Sequence, residues 1–369
     1  MRLLGAAYSG ACSGPPDWDA RAYRVLYVRH DGIGDMIMAT GTLRAIATAH
    51  PTIDLDVLTA PANAGVLEGN PHVRRVLTFT PGARLAYPAS TLAAVRRARY
   101  DVVIDAMLPR WVDGRVQRPV VKSSTVMLML ASGAPFRVGM GGRPNDFIYN
   151  LPVAAPPERS AHHVYFSAAL GTPFGVDPST ADLRPELHVS VAEREAAEAY
   201  WRSLVPAAPP AQPRVLVNVS AANARRRWPE ERLASALRGV RSLCPEAALL
   251  VTGTPADREL VSRLAAHGGI GGVPSLRESF ALAALADVVL TPDTSIAHAS
   301  AALGTPVVVL LPGGHEHLVP LGGTGRFLFA PGESIASIQA SEVVLAVCDV
   351  LRAGAVSAAR PPRPGCHPR

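Results

Sequence analysis

Cysteine is scarce in this 369-residue sequence: Cys12, Cys244, Cys348 and Cys366 stand far apart, and none is spaced from another as metal ligands are. That argues against a disulfide framework and against structural zinc, and fits a reducing compartment. Lysine is scarcer still, with Lys122 alone, so almost all positive charge is arginine. Long apolar runs are also missing, since no charge-free stretch approaches the ~20 residues of a membrane span. The most apolar region, Ala281 to Leu311, is interrupted by Asp287, Asp293 and His298 and reads as buried parallel-sheet core. The opening MRLLGAAYSGAC carries one arginine and a few apolar residues, but Tyr8 and Ser9 cut it short of a signal peptide's core. No GxGxxG follows the first predicted strand, which argues against a dehydrogenase.

What is present is enough for two ordinary domains. Hydrophobic residues make up 48% and charged residues 18%, so each half can bury a core and disorder of the whole chain is excluded. Net charge is +6 and uneven: residues 1–185 hold 19 Lys+Arg against 14 Asp+Glu, or +5, whereas residues 186–369 hold 17 against 16, or +1. The first half therefore favours anionic partners, unless the arginines are compositional.

Strand and helix patterns alternate twice along the chain. Arg24–Val28 reads as a strand feeding the turn His30–Asp35, followed by a helix from Met36 to His50. Strands at Leu55–Leu58, Val73–Phe79 and Tyr100–Asp105 and a helix at Ser90–Arg99 follow. Pro-rich segments at 152–157 and 206–213 flank a helix at Val191–Leu204. Alternation then resumes, with strands at Arg214–Val219, Ala248–Thr252, Asp287–Leu290 and Pro306–Leu311. The helices between them fall at Pro229–Leu243, Ala256–Ala266, Ser279–Ala286 and Ile296–Leu303, and a last one spans Glu333–Leu351. Two successive doubly wound α/β units are the simplest architecture. The expected layout is an N-terminal extension over 1–20, one Rossmann-like domain over 21–190, a second over 191–355 with its C-terminal helix, and a flexible tail over 356–369.

Ligands of open parallel sheets bind at the carboxyl ends of the strands, and three segments there carry suitable chemistry. In Asp31-Gly32-Ile33-Gly34-Asp35, the glycines permit close backbone approach. Asp35 is either a helix N-cap or a general base for an attacking hydroxyl. In Ser220 to Pro229, a small-residue loop precedes a helix and holds Arg225, Arg226 and Arg227. These arginines would neutralise a departing diphosphate, or form a solvated basic loop. In Thr291 to His298, Asp293, Thr294 and Ser295 stand at a helix start that suits phosphate or sugar oxygens. Asp293 itself would repel phosphate and suits sugar hydroxyls or a cap. His298, one turn in, is a ligand contact or a structural histidine. Arg110, Arg115, Arg118 and Lys122 form a basic segment that would meet a phosphate-bearing acceptor or an anionic membrane surface, or be a solvated loop.

Taken in order, these segments resemble the bacterial heptosyltransferases of glycosyltransferase family 9. VRHDGIGDMIMATGTLRAI (28–46) is similar to the family's N-terminal signature, PFRVGM (135–140) to its arginine–aliphatic–glycine stretch, and RRRWPEERLASAL (225–237) to its basic-Trp-Pro helix start. The stretch 275–311 is the most specific match. The resemblance implies a GT-B fold, α/β with two Rossmann-like domains whose parallel sheets face a central cleft. It implies an inverting transfer from ADP-L-glycero-D-manno-heptose to a hydroxyl of the lipopolysaccharide inner core, with no cofactor and no bound metal. Consistent with that, no DXD-like carboxylate pair lies near the donor segment.

By resemblance, Asp35 is the catalytic base, with Gly34 beside it on the acceptor side, and Arg226 replaces the family's phosphate-binding lysine. Ser220, Ala221, Arg225, Arg227, Asp293, Thr294, Ser295 and His298 surround the donor, and Gly253 falls near the nucleoside pocket. Ser295 stands where the family commonly has glycine. The implied partners are a nucleotide-diphosphate sugar and an anionic glycan or glycolipid, with no nucleic acid. The implied place is the cytoplasm, with peripheral contact at the inner membrane. The alternatives are a relative using another nucleotide sugar or a small-molecule or protein acceptor, and a non-catalytic sugar-nucleotide-binding module.

Overall fold

Runs of branched aliphatic residues build two parallel sheets. The computed structural model describes residues 14–80, 87–107, 110–112, 115–117, 121–142, 144, 146–156, 162–204 and 212–358. By contact density the chain divides into two compact units between His188 and Val189, with Glu316–Leu321 grouping with the first.

In the first unit, β1 (Arg24–Val28), β2 (Asp54–Thr59), β3 (Arg75–Thr78), β4 (Val102–Asp105), β7 (Phe136–Met140) and β8 (Leu151–Val153) form one sheet. Their order is β3-β2-β1-β4-β7-β8, and every pairing is parallel. The helices are α1 (Ile33–Ala49), α2 (Pro61–Ala64), α3 (Ala89–Ala98), α4 (Ser123–Ser132) and α5 (His163–Ala169). Two short strands, β5 (Arg110–Val112) and β6 (Arg115–Gln117), pair antiparallel by themselves, so part of the basic segment is a hairpin.

The second unit opens with α6 (Val191–Leu204). It continues through β9 (Arg214–Asn218), α7 (Glu230–Leu243), β10 (Ala248–Thr252), α8 (Arg258–Ala265), β11 (Ile270–Gly272) and α9 (Leu276–Ala284). It closes with β12 (Val288–Pro292), α10 (Ser295–Ala302), β13 (Val307–Leu311), β14 (Gly325–Phe329) and α11 (Ala340–Ala358). The strand order β11-β10-β9-β12-β13-β14 repeats that of the first unit, again all parallel.

Helices on both faces explain why the strands are apolar at nearly every position. Alternate residues Val215, Val217, Leu249, Val251, Leu290 and Val308 pack with Leu233 and Leu237 of α7 and Val343 and Val347 of α11. The intervening Leu216, Leu250, Val289 and Val309 are equally buried on the opposite face. Each such side chain stabilises the fold by roughly 1.5–3 kcal/mol relative to exposure. In both sheets the first and fourth strands are neighbours, β1 beside β4 and β9 beside β12. The winding reverses there, which leaves a crevice at the carboxyl ends of those strands.

Several element ends differ from the sequence expectation for identifiable reasons. The first helix starts at Ile33 because Gly32 takes the extended N-cap conformation (φ −71°, ψ 155°). Asp35 is thus the third helical residue, not the cap. Helix α9 begins three residues before the expected Ser279, because Ser275 and Glu278 form a reciprocal cap. The Ser275 hydroxyl accepts the Glu278 N–H at 3.3 Å, and the Glu278 carboxylate accepts the Ser275 N–H at 2.7 Å. The last helix runs from Ala340, since Ile335–Ser337 is a separate 3₁₀ turn.

Cys244, which caps the end of α7, and Cys348, on α11, are buried free thiols whose sulfurs lie 3.2 Å apart. Cys12 and Cys366 lie outside the described residues. Among the described residues, no helix is long and apolar enough to cross a membrane.

Candidate functional site

The crevice of the first unit is organised by a buried cation. Arg29, just beyond β1, is fully buried, and its Nε and Nη2 donate to the two carboxylate oxygens of Asp31 at 2.9 and 3.2 Å. A charge removed from water in this way must be paired. Asn63 of α2 donates to the Asp31 carbonyl at 3.0 Å and so pins the turn. Burial pushes the Asp31 carboxyl up and Arg29 opposes it. Burial also acts downward on Arg29, but Asp31 and Asp35 outweigh it and the net direction is up.

Asp35 sits in the first turn of α1 with its side chain 32% exposed. Its Oδ1 lies 3.4 Å from Arg29 Nη2 and 3.2 Å from Nε2 of His163, and its Oδ2 accepts the Gly32 N–H at 3.2 Å. The carboxylate is therefore aimed from behind by two side chains and one amide while one edge stays open to solvent. Gly34 lies beside it in the same turn. On the neighbouring strand, Asp105 is committed: Tyr149 Oη donates to it, as does the Met107 N–H at 3.1 Å. Lys122, the exposed N-cap of α4, is near enough to lower the pKa of His30, though burial is the larger cause. Arg110 and Arg115 lie on β5 and β6, and Arg118 lies outside the described residues.

In the second unit, Asn218 ties the two central strands together. Its Nδ2 donates to Thr291 Oγ1 at 2.9 Å and to Thr294 Oγ1 at 3.2 Å. Thr294 is the N-cap of α10, yet its hydroxyl faces Asn218 and Thr291 and not the amides of its own helix. The start of α10 at Ser295 thus presents backbone N–H groups and the positive end of the helix dipole. Asp293 is 3% exposed, and its Oδ2 lies 3.3 Å from Arg226 Nε and 3.1 Å from His315 Nδ1. Burial would raise its pKa, but His315, Arg226 and His298 together bring it below the usual carboxylate value. His298 is buried on α10 beside this group.

The three arginines of the loop do not form one cluster. Arg225 pairs with Glu333 at 2.7 Å, Arg226 with Asp293, and Arg227 with Asp257 at 3.5 Å. The reason is local: Ala224–Arg226 is a 3₁₀ turn capped by the Asn223 side chain, and such a turn rotates successive side chains by about 120°. Ser220 donates to Asp257 Oδ2 at 2.7 Å and accepts the Thr254 N–H at 2.9 Å, so Asp257 and Ser220 brace the loop after β9, with Ala221 next to it. Gly253 is needed for packing here, since a Cβ would come within 2.8 Å of Asp257 Cβ. Trp228 anchors the far end by donating to the Ile338 carbonyl at 3.1 Å.

A cavity of about 360 Å³ opens past the carboxyl end of β11. Ala196 and Tyr200 of α6, Val273, Pro274, and Arg277 and Ala281 of α9 line it. Arg277 reaches Glu193 with both arms, at 2.7 and 2.6 Å, and so holds α6 against α9.

The fold thus gathers Gly34 and Asp35 at one crevice, and Ser220, Ala221, Arg226, Asp293, Thr294, Ser295 and His298 at the other. Arg29, His163, Asp257 and His315 are additions that the sequence reading missed. Arg29 lies within the stretch 28–46, and Asp257 comes four residues after Gly253. For His163 and His315 only the fold supplies the signal.

The family model for glycosyltransferase family 9 (heptosyltransferase) matches residues 90–317. No curated protein sequence matches the chain. Among solved structures, a family 9 glycosyl transferase from Veillonella parvula aligns with TM-score 0.75 and 18% identity over 90% of this chain and 97% of that one. The E. coli ADP-heptose LPS heptosyltransferase II aligns with TM-score 0.71 and 18% identity, over 89% of this chain and 99% of that one. The E. coli heptosyltransferase WaaC with ADP aligns with TM-score 0.64 and 20% identity, over 89% and 99%. These likenesses establish the GT-B fold.

Proposed function

Since the chain belongs to glycosyltransferase family 9, the heptosyltransferase family, we propose that it transfers a heptose from ADP-L-glycero-D-manno-heptose to a hydroxyl of the lipopolysaccharide inner core, inverting the anomeric carbon without a bound metal. The observation that carries this reading is Asp35, a half-open carboxylate held by Arg29, His163 and the Gly32 amide. That is the geometry of an oriented general base. Its proton comes from the acceptor hydroxyl as the oxygen attacks the anomeric carbon and the bond to the diphosphate breaks.

The second unit supplies the donor side. The amides at the start of α10, with Thr294 and Ser295, take the diphosphate. Arg226 donates one N–H, from Nη1, to the Asp293 carbonyl and pairs with its carboxylate through Nε, and its remaining donors serve the leaving group. Ser220 and Ala221 border the same loop. Asp293 and His298 address sugar hydroxyls, and Arg225 and Arg227 add positive potential. The nucleotide's heterocycle occupies the cavity past β11, two strands from β9 and so about 10 Å away at ordinary strand spacing. The basic segment of Arg110, Arg115, Arg118 and Lys122 meets the acceptor's phosphates at the cytoplasmic face of the inner membrane. Solved relatives are described as bound to ADP and to ADP-2-deoxy-2-fluoro heptose, which supports the choice of donor.

The test is a screen of ADP-heptose, ADP-glucose, UDP-sugars and GDP-sugars against core oligosaccharides, read by product mass and repeated with EDTA. Product from ADP-heptose that survives EDTA is expected. Product from a different donor alone reassigns the sugar, and no product from any donor ends the reading.

A further inference from the structure

We infer that His163 is a positioning residue for Asp35 that also takes up the acceptor's proton from it during transfer. The inference rests on the reading of Asp35 as the base. In sequence, His163 is only the second of two adjacent histidines, and the fold gives the pair different tasks. His162 caps α5: its Nδ1 accepts the Val164 N–H at 3.2 Å, and its Nε2 faces the Val319 carbonyl. His163 is buried, 7% exposed, and its Nε2 points at Asp35 Oδ1 from 3.2 Å. That nitrogen makes no aligned hydrogen bond with any described group, so the carboxylate is its neighbour but not yet its hydrogen-bond partner. A buried ring nitrogen left in this state is costly unless a proton arrives to bridge it.

The chemistry supplies that proton. Arg29 stands 3.4 Å from the same Oδ1, and the Gly32 amide donates to Oδ2. Both stabilise the anionic carboxylate and fix its orientation. A proton landing on Oδ1 comes within reach of the imidazole Nε2. The acceptor O–H bond breaks, the new bond from that oxygen to the anomeric carbon forms, and the bond from carbon to phosphate oxygen breaks, its electron pair leaving with the nucleoside diphosphate. The proton passes through Asp35 to His163, and Asp35 stays anionic beside Arg29. It returns to water by the same route, because Asp35 is about one-third exposed. Among the described residues, the charged and titratable groups facing the imidazole are Asp35 and Asp31 from the β1–α1 segment, with Arg29 behind them, and His162 before α5.

The experiment uses the full chain with whichever donor and acceptor give product in the screen above, and compares wild type with His163→Gln, His163→Ala and Asp35→Asn. Replacing His163 should lower kcat about 10- to 100-fold, within the span of acid–base effects, with donor KM little changed. The acid limb of kcat against pH should move to lower pH, because the imidazole no longer takes up the proton. Wild-type kcat and an unmoved acid limb in both His163 variants, with Asp35→Asn inactive, overturn the inference and leave the base reading intact. Wild-type kcat in Asp35→Asn instead overturns the base reading. If neither His163 variant folds, the ring signals of His163 by NMR on adding donor and acceptor decide: they should change in wild type and not in Asp35→Asn, and no difference between the two overturns the inference.

Discussion

Arg226 and Asp293 meet over the ends of β9 and β12, guanidinium Nε 3.3 Å from Oδ2, with His315 3.1 Å from the same oxygen. The pairing resolves a conflict visible in the sequence, where an acid stands beside a helix start suited to phosphate. Arg226 offsets the carboxylate's charge and His315 occupies the same oxygen, so the amides of α10 keep their pull on an anion. Arg226→Ala should therefore lower kcat/KM about 10²- to 10³-fold, the range for losing one preorganised donor. Arg226→Lys keeps the charge but not the fork and should fall between. Steady-state rates with the active donor check this, and an Ala variant at wild-type rate removes Arg226 from the reaction.

Asp35→Asn keeps the shape of the first crevice and removes the carboxylate proposed as the base. A fall in kcat of about 10²-fold or more is expected, with ADP affinity by calorimetry unchanged. Loss of ADP binding in the same variant would mean the residue acts on the donor.

Most of the framework could be read from the sequence because parallel strands buried on both faces leave unbroken aliphatic runs such as Val307–Leu311. Asp35 stood out in the sequence by its place in a glycine-bearing turn between strand and helix, where a helix cap was the other reading, and its role as a base came from the resemblance. Its partner His163 did not, because it arrives on a separate helix from far along the chain. The arginine triplet stands adjacent in the sequence, but the 3₁₀ turn over Ala224–Arg226 and the extended Arg227 after it send the three to different acids. The early start of α9 was written in Ser275–Glu278, a cap signature overlooked beside the stronger apolar run.

The cavity past β11 yields a separate prediction. Ala196 lines it from an exposed position on α6, so Ala196→Trp can fill it without disturbing the core. Donor KM should rise about tenfold or more while kcat holds, as expected when ground-state binding alone is lost. Unchanged KM would put the heterocycle elsewhere.

Glu193 links acidity to stability. The Arg277 guanidinium and the Ser190 N–H and hydroxyl outweigh a smaller burial effect and lower its carboxyl from 4.5 to about 2. A depressed folded pKa contributes stability that is present above the unfolded value and lost as pH falls, here between 4.5 and about 2. The pair is partly solvated, so the contribution is about 1 kcal/mol. Glu193→Gln should melt lower at pH 7 and lose less of its Tm than wild type on acidification. Parallel curves of Tm against pH would discount the pair.

The two touching thiols carry a last consequence. Burial, the larger cause, and Cys244 beside it push the Cys348 thiol up to about 12, so almost none of it is thiolate at neutral pH. Alkylating reagents should pass both sulfurs by while α7 and α11 stay closed on each other, and label them as those helices part. Peptide mapping of that labelling against time would make the pair a clock for how often this end of the molecule breathes.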